Sequence, residues 1–206
     1  MSKKVLIVYG TRFGATAGTS EEIADVLRHE GLDVRVVDAK KEKVKDISEY
    51  DLVIIGSGMM IHRWIREPEK FLVKFQKELA KKKVALFVSS GTQVLIEHDK
   101  KFEDFHFGGK ITTITGDEAI GMTRKKYLEE KAAKYNLQPV AMAVFGGVYD
   151  YHHMPWWSGK AMEAAKPQLE AAGIKENKPG FYDTRDWDAI RSWANELAVS
   201  FRLCCP

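Results

Sequence analysis

The fold of this chain is decided by the stretch Val5-Leu6-Ile7-Val8-Tyr9-Gly10-Thr11-Arg12-Phe13-Gly14-Ala15-Thr16-Ala17-Gly18-Thr19-Ser20. Its first five residues form an apolar run, which predicts a strand buried on both faces. Its remaining residues are rich in glycine and hydroxyl side chains. From Glu21 onward, apolar residues recur at the spacing of a helix, and we expect that helix to begin near Ser20. A buried strand, a loop of this composition and a helix start together predict a phosphate-binding site.

The chemistry of this loop suits a phosphate group. Amide N–H groups at a helix start have no partner within the helix and carry partial positive charge. The side chains of Thr11, Thr16, Thr19 and Ser20 add hydroxyl donors, and glycines allow the backbone to approach a ligand closely. The simpler alternative is a strand-to-helix turn with no ligand, in which Ser20 is the N-cap of the helix.

The spacing of the loop residues narrows the class of phosphate ligand. A nucleoside triphosphate loop requires a lysine, and this chain has none between Lys4 and Lys40. A dinucleotide fingerprint reads G-x-G-x-x-G, whereas Gly10, Gly14 and Gly18 are four residues apart. A monophosphate held by hydroxyls and amides, with Arg12 as the nearby cation, remains. This pattern fits FMN.

Strand and helix patterns alternate along the rest of the chain. Strands are predicted at 4–9, 34–37, 51–56, 84–88 and 140–145, with a further strand at 110–115. Helices are predicted at 20–30, 67–82, 123–135, 158–172 and 187–201. This order predicts one α/β domain over residues 1–206, with a five-stranded, doubly wound parallel sheet, helices on both faces and an insertion before the last strand.

Three loops leave the carboxyl ends of the predicted strands, where ligands of such sheets bind. They are residues 10–20, 56–64 and 89–94. The candidate cofactor-binding residues in them are Thr11, Arg12, Phe13, Gly14, Ala15, Thr16, Thr19, Ser20, Ser57, Gly58, Met59, Met60, Trp64, Ser89, Ser90, Gly91 and Thr92. Trp64 has two interpretations: it stacks on the flavin ring, or it anchors the helix that follows.

Two motifs resemble a known family. The phosphate loop of the flavodoxin superfamily is similar to Thr11-Arg12-Phe13-Gly14-Ala15-Thr16. The sequence predicts that the loop of this chain is about one helical turn longer than the usual loop of that superfamily. Whether Thr16, or Thr19 with Ser20, contacts the phosphate therefore stays open. The Thr-Arg pair of the loop and the ending Tyr182-Asp183-Thr184-Arg185-Asp186-Trp187 resemble the menaquinone-dependent protoporphyrinogen IX oxidase branch. That resemblance implies a flavodoxin-like fold, FMN, a porphyrinogen substrate and a quinone partner.

Charge and composition limit the partners. The 206 residues carry a net charge of +3, which is too small for a dedicated nucleic-acid binder but permits an anionic small molecule or weak, peripheral contact with lipid headgroups. No apolar run approaches the ~18 residues of a membrane span, and the start of the chain lacks the pattern of a signal peptide. The two cysteines are adjacent, at 204 and 205, so we expect no disulfide framework and a cytoplasmic location. A homodimer is left open.

Two classes of function follow from this sequence. The loop Ser89-Ser90-Gly91-Thr92-Gln93 lacks an aromatic residue, so one flavin face would stay open to a stacked organic substrate, with His62, Arg63 and Arg66 as a basic rim. This favours an FMN-dependent oxidoreductase. The alternative is an electron carrier that serves a redox protein partner. The aromatic segment at 150–157 either covers a substrate, contacts a membrane surface or packs at a helix start. We expect no catalytic dyad, because the flavin itself carries redox chemistry. We expect no metal site, because the two histidines of this segment have no further ligands at a defined spacing.

Overall fold

The structure is a computed structural model that describes residues 2–60, 63–90, 102–103, 113–114, 116–153, 166–167, 169–170 and 173–203. The strands of its main sheet are β1 (Lys4–Gly10), β2 (Asp33–Asp38), β3 (Leu52–Met60), β4 (Arg63–Trp64), β5 (Lys83–Ser89) and β8 (Ala141–Phe145). Five of them are parallel, in the order β2-β1-β3-β5-β8, and the short strand β4 pairs antiparallel with β3. The predicted doubly wound sheet of five parallel strands is confirmed.

Helices cover both faces of this sheet. They are α1 (Ala15–His29), α2 (Arg66–Lys74), α3 (Gln76–Leu79), α4 (Gly116–Arg124), α5 (Glu130–Lys134) and α6 (Trp187–Leu203), and a π-helical segment (Lys125–Glu129) joins α4 to α5. Side chains from α1 and α6 share one hydrophobic cluster with the sheet. Side chains from α2, α3, α5 and the π-helical segment share the other.

The central strands are apolar on both sides because each side meets a layer of helices. Leu6 and Val8 of β1 point toward the cluster that includes α2. Val5 and Ile7 of the same strand point toward α1 and α6. All four side chains are fully buried. β1 is an interior strand that pairs with β2 on one side and β3 on the other, so the loop after it leaves the sheet between two neighbouring strands.

Two predicted helices differ from the observed ones. The segment predicted as one helix over 67–82 is divided at Phe75, whose φ of −107° and ψ of 19° lie outside helical geometry. Phe71 and Phe75 nevertheless stay buried, with their rings 4.9 Å apart. The helix predicted at 123–135 begins earlier, at Gly116. The helix predicted at 158–172 lies largely outside the described residues.

The insertion before β8 is held to α2 by one carboxylate. Oε1 of Glu69 accepts hydrogen bonds from Lys131 Nζ at 2.8 Å and from Tyr135 Oη at 2.9 Å. Burial by itself raises the pKa of the Glu69 carboxyl, but the hydrogen bonds from Lys131 and Tyr135 outweigh it and lower the pKa to about 2. Of the strand predicted at 110–115, the described part is β7 (Thr113–Ile114), which pairs antiparallel with β6 (Phe102–Glu103).

A second, small sheet follows β8. It contains β9 (Val148–Asp150), β10 (Glu176–Lys178) and β11 (Phe181–Asp183), in the antiparallel order β10-β11-β9. The sequence analysis did not predict these strands. Their pairing brings the end of β11 back to the carboxyl edge of the main sheet, because Asp183 pairs with Val148 only three residues after β8 ends. In the part of the chain that is described, no helix is both long and apolar enough to cross a bilayer.

Candidate functional site

The loop between β1 and α1 is short. β1 ends at Gly10 and α1 begins at Ala15, so only Thr11–Gly14 connect them. Gly14 is the N-cap and adopts φ +87°, a left-handed conformation that favours glycine. Its amide donates a hydrogen bond of 2.9 Å to Oγ1 of Thr11. The threonine and the glycine together turn the chain sharply from strand into helix.

The predicted start of α1 near Ser20 is wrong by about five residues, and the loop is not enlarged. Glycine and hydroxyl residues have modest helix propensity, but tertiary packing overrides propensity when a helix face is buried. Thr16, Thr19 and Ser20 are buried. Oγ of Ser20 donates to the carbonyl oxygen of Thr16 at 2.8 Å. Ser20 is therefore an interior helix residue, and the N-cap alternative for it is also wrong.

The first turn of α1 presents donors without partners. The amides of Ala15, Thr16 and Ala17 precede the first intrahelical hydrogen bond, which runs from Gly18 N to Gly14 O at 3.1 Å. No acidic residue lies in this turn to compete with an anion. Oγ1 of Thr16, whose residue is 1% exposed, has no hydrogen-bonding partner in the structure. A buried polar atom without a partner is unfavourable, and a phosphate oxygen would satisfy it.

Thr19 differs from Thr16 in position. Its hydroxyl is also buried and also lacks a hydrogen-bonding partner. It lies on the second turn of α1, inside the helix, with no exposed surface. The structure therefore favours Thr11 and Thr16 as the phosphate hydroxyls, and it places Thr19 and Ser20 behind them. Arg12 is exposed beside this loop, with its guanidinium carbon 5.4 Å from the centre of the Phe13 ring.

The three predicted site loops begin at one edge of the sheet. Gly10 of β1 lies opposite Ser57 of β3, and Gly58 of β3 lies opposite Ser89 of β5. The site is therefore assembled by strand register, as predicted for the carboxyl ends of parallel strands. The glycines keep the edge open: a Cβ atom on Gly58 would lie 3.1 Å from Oγ1 of Thr16.

Ser57 has a structural role in the second loop. Its hydroxyl accepts a hydrogen bond from the amide of Ile65 at 2.9 Å and donates to the carbonyl of Gly58 at 3.0 Å. This fastens the hairpin formed by β3 and β4, in which Met59 pairs with Trp64 and Met60 with Arg63. Residues 61 and 62, including His62 of the predicted rim, lie outside the described residues.

Trp64 belongs to the core. It is 5% exposed and lies in the hydrophobic cluster beneath α2. Its indole Nε1 donates to the carbonyl of Tyr127 at 2.9 Å, and the ammonium of Lys131 lies 5.5 Å from its ring. The structure contradicts a ring exposed for flavin stacking and favours the packing alternative. Sequence alone left both open because the partner, Tyr127, is 63 residues away.

The third loop begins with two buried serines. Oγ of Ser89 has no hydrogen-bonding partner in the structure, and the amide of Ser90 donates to the carbonyl of Phe145 at 2.8 Å. The start of this loop is thus tied to the end of β8. Gly91 and Thr92, which the sequence also predicts as cofactor-binding, lie outside the described residues.

The segment at 150–157 is described only as far as His153. Nδ1 of His153 lies 2.6 Å from Oδ2 of Asp150, and Nε2 of His152 lies 2.8 Å from the carbonyl oxygen of Pro179. These contacts occupy both histidines within the small second sheet. The two tryptophans of the segment, Trp156 and Trp157, lie outside the described residues.

Arg185 reaches the site from the far end of the chain, and the sequence analysis missed this contact. Its Nη1 donates to the carbonyl of Ala15 at 3.1 Å, while Nε and Nη2 bind the carboxylate of Asp183. Its guanidinium carbon lies 4.2 Å from the centre of the Trp187 ring. Gly18 makes room for it, since a Cβ atom there would lie 2.4 Å from Nη1.

The parallel sheet with helices on both faces places the protein in the class of doubly wound α/β folds. Within that class, the sequence profile of the flavodoxin domain matches residues 6–171, so the chain belongs to the flavodoxin domain family. This membership identifies FMN as the cofactor, as predicted from the loop. The residues present fit FMN because the first amides of α1 and the unpartnered hydroxyl of Thr16 can donate hydrogen bonds to its phosphate. The assignment to the protoporphyrinogen oxidase branch gains no support from the comparisons.

Solved structures share this fold at low sequence identity. A flavodoxin, WrbA-like protein from Agrobacterium tumefaciens is 15% identical, with a TM-score of 0.50 over 98% of this chain and 99% of its own. The Flv1 flavodiiron core from Synechocystis sp. PCC6803 is 12% identical, with a TM-score of 0.56 over 99% of this chain and 37% of its own. The rubredoxin oxygen:oxidoreductase from Desulfovibrio gigas is 15% identical, with a TM-score of 0.53 over 99% of this chain and 38% of its own. The chain thus corresponds to little more than a third of the two longer proteins.

Proposed function

We propose that this flavodoxin-family protein is an FMN-dependent oxidoreductase that exchanges electrons with a small, anionic organic molecule at an open face of the flavin. The observation that carries this proposal is the burial of Trp64. Trp64 is the aromatic residue of the β3–β4 hairpin, and its ring packs in the core. Since the third loop, residues 89–94, contains no aromatic residue, a planar substrate has room to stack on the flavin.

The chain's own residues bind and orient the cofactor. Thr11 and Thr16, with the first amides of α1, would hold the phosphate. Gly58 and Ser89, which lie opposite one another at the sheet edge, would approach the ring. FMN supplies the electron-transfer chemistry when bound, and the protein positions it and excludes water from it. The proposal requires no catalytic acid or base from the protein.

Positive charge beside the hairpin supports an anionic substrate. Arg63 of β4 and Arg66 at the start of α2 are both exposed and lie on either side of the buried Trp64 and the half-buried Ile65. Guanidinium groups bind carboxylates with two parallel hydrogen bonds. A porphyrinogen carries carboxylates of this kind, which makes it the first substrate to test, with a quinone as the second partner.

The second candidate is an electron carrier that serves a redox protein. The observation in its favour is that two longer structural neighbours, the flavodiiron core and the rubredoxin oxygen:oxidoreductase, contain this fold as part of a larger redox protein. The slight positive charge of the chain argues against it, because the carriers that the chain resembles are markedly acidic.

A stopped-flow experiment separates the two candidates. The FMN-loaded protein is reduced without oxygen and mixed with a water-soluble quinone or with a ferredoxin-type iron–sulfur protein. We expect rapid reoxidation by the quinone, and we expect porphyrinogen to reduce the oxidised protein in steady-state assays. Arg63→Ala and Arg66→Ala should raise KM for porphyrinogen at least threefold at low salt, and Lys81→Ala, on the exposed turn after α3, is the control. Reoxidation by the iron–sulfur protein alone would refute the enzyme proposal.

A further inference from the structure

A cavity of about 340 Å³ lies on the α2 side of the sheet, apart from the three loops of the flavin site. It is enclosed by β1, the segment after β2 and helix α2, and its lining residues are Val8, Ala39, Lys40, Glu42, Lys43, Val44, Glu67, Lys70, Phe71, Lys74 and Phe75. None of them is among the predicted cofactor-binding residues. The Pro68 ring packs against Gly10, where a Cβ atom would lie 2.5 Å from it, and neither residue lines the cavity.

The floor of the cavity is apolar and aromatic. Val8, Val44, Phe71 and Phe75 are buried and belong to the cluster beneath α2. The rings of Phe71 and Phe75 are inclined by 50° to each other. Both residues line the cavity, and aromatic rings pack favourably against further aromatic rings in tilted or edge-to-face arrangements. The volume lies at the lower end of the range for small-molecule sites.

The rim of the cavity is positively charged. Lys40, Lys43 and Lys70 are exposed, and their ammonium groups have no hydrogen-bond or ion-pair partner among the described residues. Lys74 is already engaged, since its Nζ donates to the carbonyl of Val44 at 2.6 Å and lies 4.4 Å from the Phe75 ring.

Two glutamates also lie at this rim. Glu42 is paired with Arg35, so its charge is compensated outside the cavity. Glu67 lines the same cavity as the three lysines, and one carboxylate against three ammonium groups leaves a positive net charge for a ligand. An apolar floor beneath a cationic rim is complementary to a ligand whose body is hydrophobic and whose one polar group is an anion.

We infer that this cavity is a second binding site, which takes a small aromatic carboxylate. The ring of the ligand packs on Phe71 and Phe75, and its carboxylate lies at the ammonium groups of Lys40, Lys43 and Lys70. Val8 and Ala39 limit the depth, so a ligand of one or two fused rings fits. This site is separate from the flavin site, and occupation of either one leaves the other accessible.

The test is a calorimetric titration of the FMN-saturated protein with 2-naphthoate. We expect one site with a Kd on the order of 0.1–1 mM, the range for a ligand of this size. The neutral analogue 2-naphthalenemethanol should bind at least threefold more weakly, because it lacks the carboxylate. Addition of excess FMN should leave naphthoate binding unchanged.

Three variants sharpen the test. Ala39→Leu, which fills the cavity, should weaken naphthoate binding at least tenfold, and Lys70→Ala should weaken it at least threefold. Lys81→Ala removes an exposed lysine that does not line the cavity and should have no effect. Equal FMN affinity of all variants shows that the fold is retained. The inference is overturned if 2-naphthoate does not bind at 5 mM, if Ala39→Leu binds it like the parent, or if FMN displaces it. None of these outcomes depends on whether the protein oxidises a porphyrinogen.

Discussion

The phosphate loop, Gly10–Thr16, and the C-terminal segment, Thr184–Trp187, meet at the same helix turn but contribute to it in opposite ways. The loop is contiguous with the helix that it starts, and the first amides of that helix precede its first intrahelical hydrogen bond. The segment arrives from a point 170 residues later in the chain, through the bond from Arg185 to the carbonyl of Ala15. The loop offers groups to a ligand, whereas the segment holds the helix that carries them.

Hydrogen bonding distinguishes the two regions. In the loop, the buried hydroxyl of Thr16 has no partner. In the segment, the buried hydroxyl of Thr184 accepts from the amide of Gly147 and donates to its carbonyl, both at 2.9 Å. Leaving a buried polar group unpaired costs about 1–3 kcal/mol. Such a cost is tolerated where a ligand supplies the missing hydrogen bond. The hydroxyl of Thr184 already donates and accepts, so it needs no ligand.

The largest expected effect tests the scaffold. A Cβ atom on Gly146 would lie 2.0 Å from the carbonyl oxygen of Thr184 and 2.7 Å from its carbonyl carbon. Both atoms are backbone, so the chain itself must move to make room. Gly146→Ala should therefore lower the free energy of unfolding by about 3 kcal/mol, the upper part of the range for overpacking. The measurement is urea unfolding of the protein without FMN.

Gly121→Ala is the matched control for that variant. Gly121 lies in α4 and is exposed, and among the described residues no atom beyond its own helix lies within 4 Å of the position that its Cβ would take. Alanine should leave stability unchanged or raise it by up to about 1 kcal/mol, because alanine has the higher helix propensity. If Gly146→Ala were as stable as Gly121→Ala, the segment would not be packed against the end of β8 as the structure has it.

The sequence predicts the two regions unequally. The parallel sheet and the loops at its carboxyl edge follow from buried apolar runs, and these runs are local signals. The phosphate loop is predicted from Thr11, Gly14 and Thr16, whose spacing is also a local signal. The start of α1 could not be predicted correctly, because Gly18 and the hydroxyl residues Thr16, Thr19 and Ser20 have modest helix propensity, and the burial that favours the helix here is not a local signal.

The contacts that define the scaffold are invisible to local reasoning. Arg185 and Asp183 belong to the motif Tyr182–Trp187, which the sequence analysis identified only by its resemblance to the oxidase branch. Nothing near them in sequence indicates that Arg185 contacts Ala15. In the same way, Trp64 has a strong aromatic signal, and only its bond to Tyr127 shows that it faces the core.

A smaller effect tests the loop itself. Thr16→Val keeps the shape of the side chain and removes the hydroxyl that has no partner. We expect the FMN affinity to fall about 10- to 100-fold, as for the loss of a hydrogen bond to a charged group. Riboflavin, which has no phosphate, should bind the variant and the parent equally. The protein without flavin should be no less stable than the parent, because an unsatisfied polar group has been removed. Flavin fluorescence titrations and urea unfolding measure the two quantities.

Thr19→Val is the matched control for the loop. The hydroxyl of Thr19 is buried and has no hydrogen-bonding partner, like that of Thr16, but Thr19 lies on the second turn of α1. FMN affinity should be unchanged in this variant. A loss of affinity as large as that of Thr16→Val would show that the phosphate reaches the second turn, and the contrast between the two threonines would be wrong.

The smallest expected effect tests how the segment acts on the loop. Arg185 contacts Ala15 and Asp183 through three nitrogen atoms, and the partner carboxylate largely cancels its charge at a distance. We therefore expect Arg185 to act by positioning the first turn of α1, not by attracting the phosphate. Arg185→Ala should weaken FMN about 3- to 10-fold and leave riboflavin unaffected. Arg185→Lys should weaken FMN binding equally, because a lysine keeps the charge but lacks the planar set of donors.

If the lysine variant bound FMN like the parent, or if the loss for the alanine variant shrank markedly between 0.05 and 0.5 M salt, then charge would be the cause. The C-terminal segment would in that case be part of the anion site itself, and its difference from the phosphate loop would be one of distance along the chain alone.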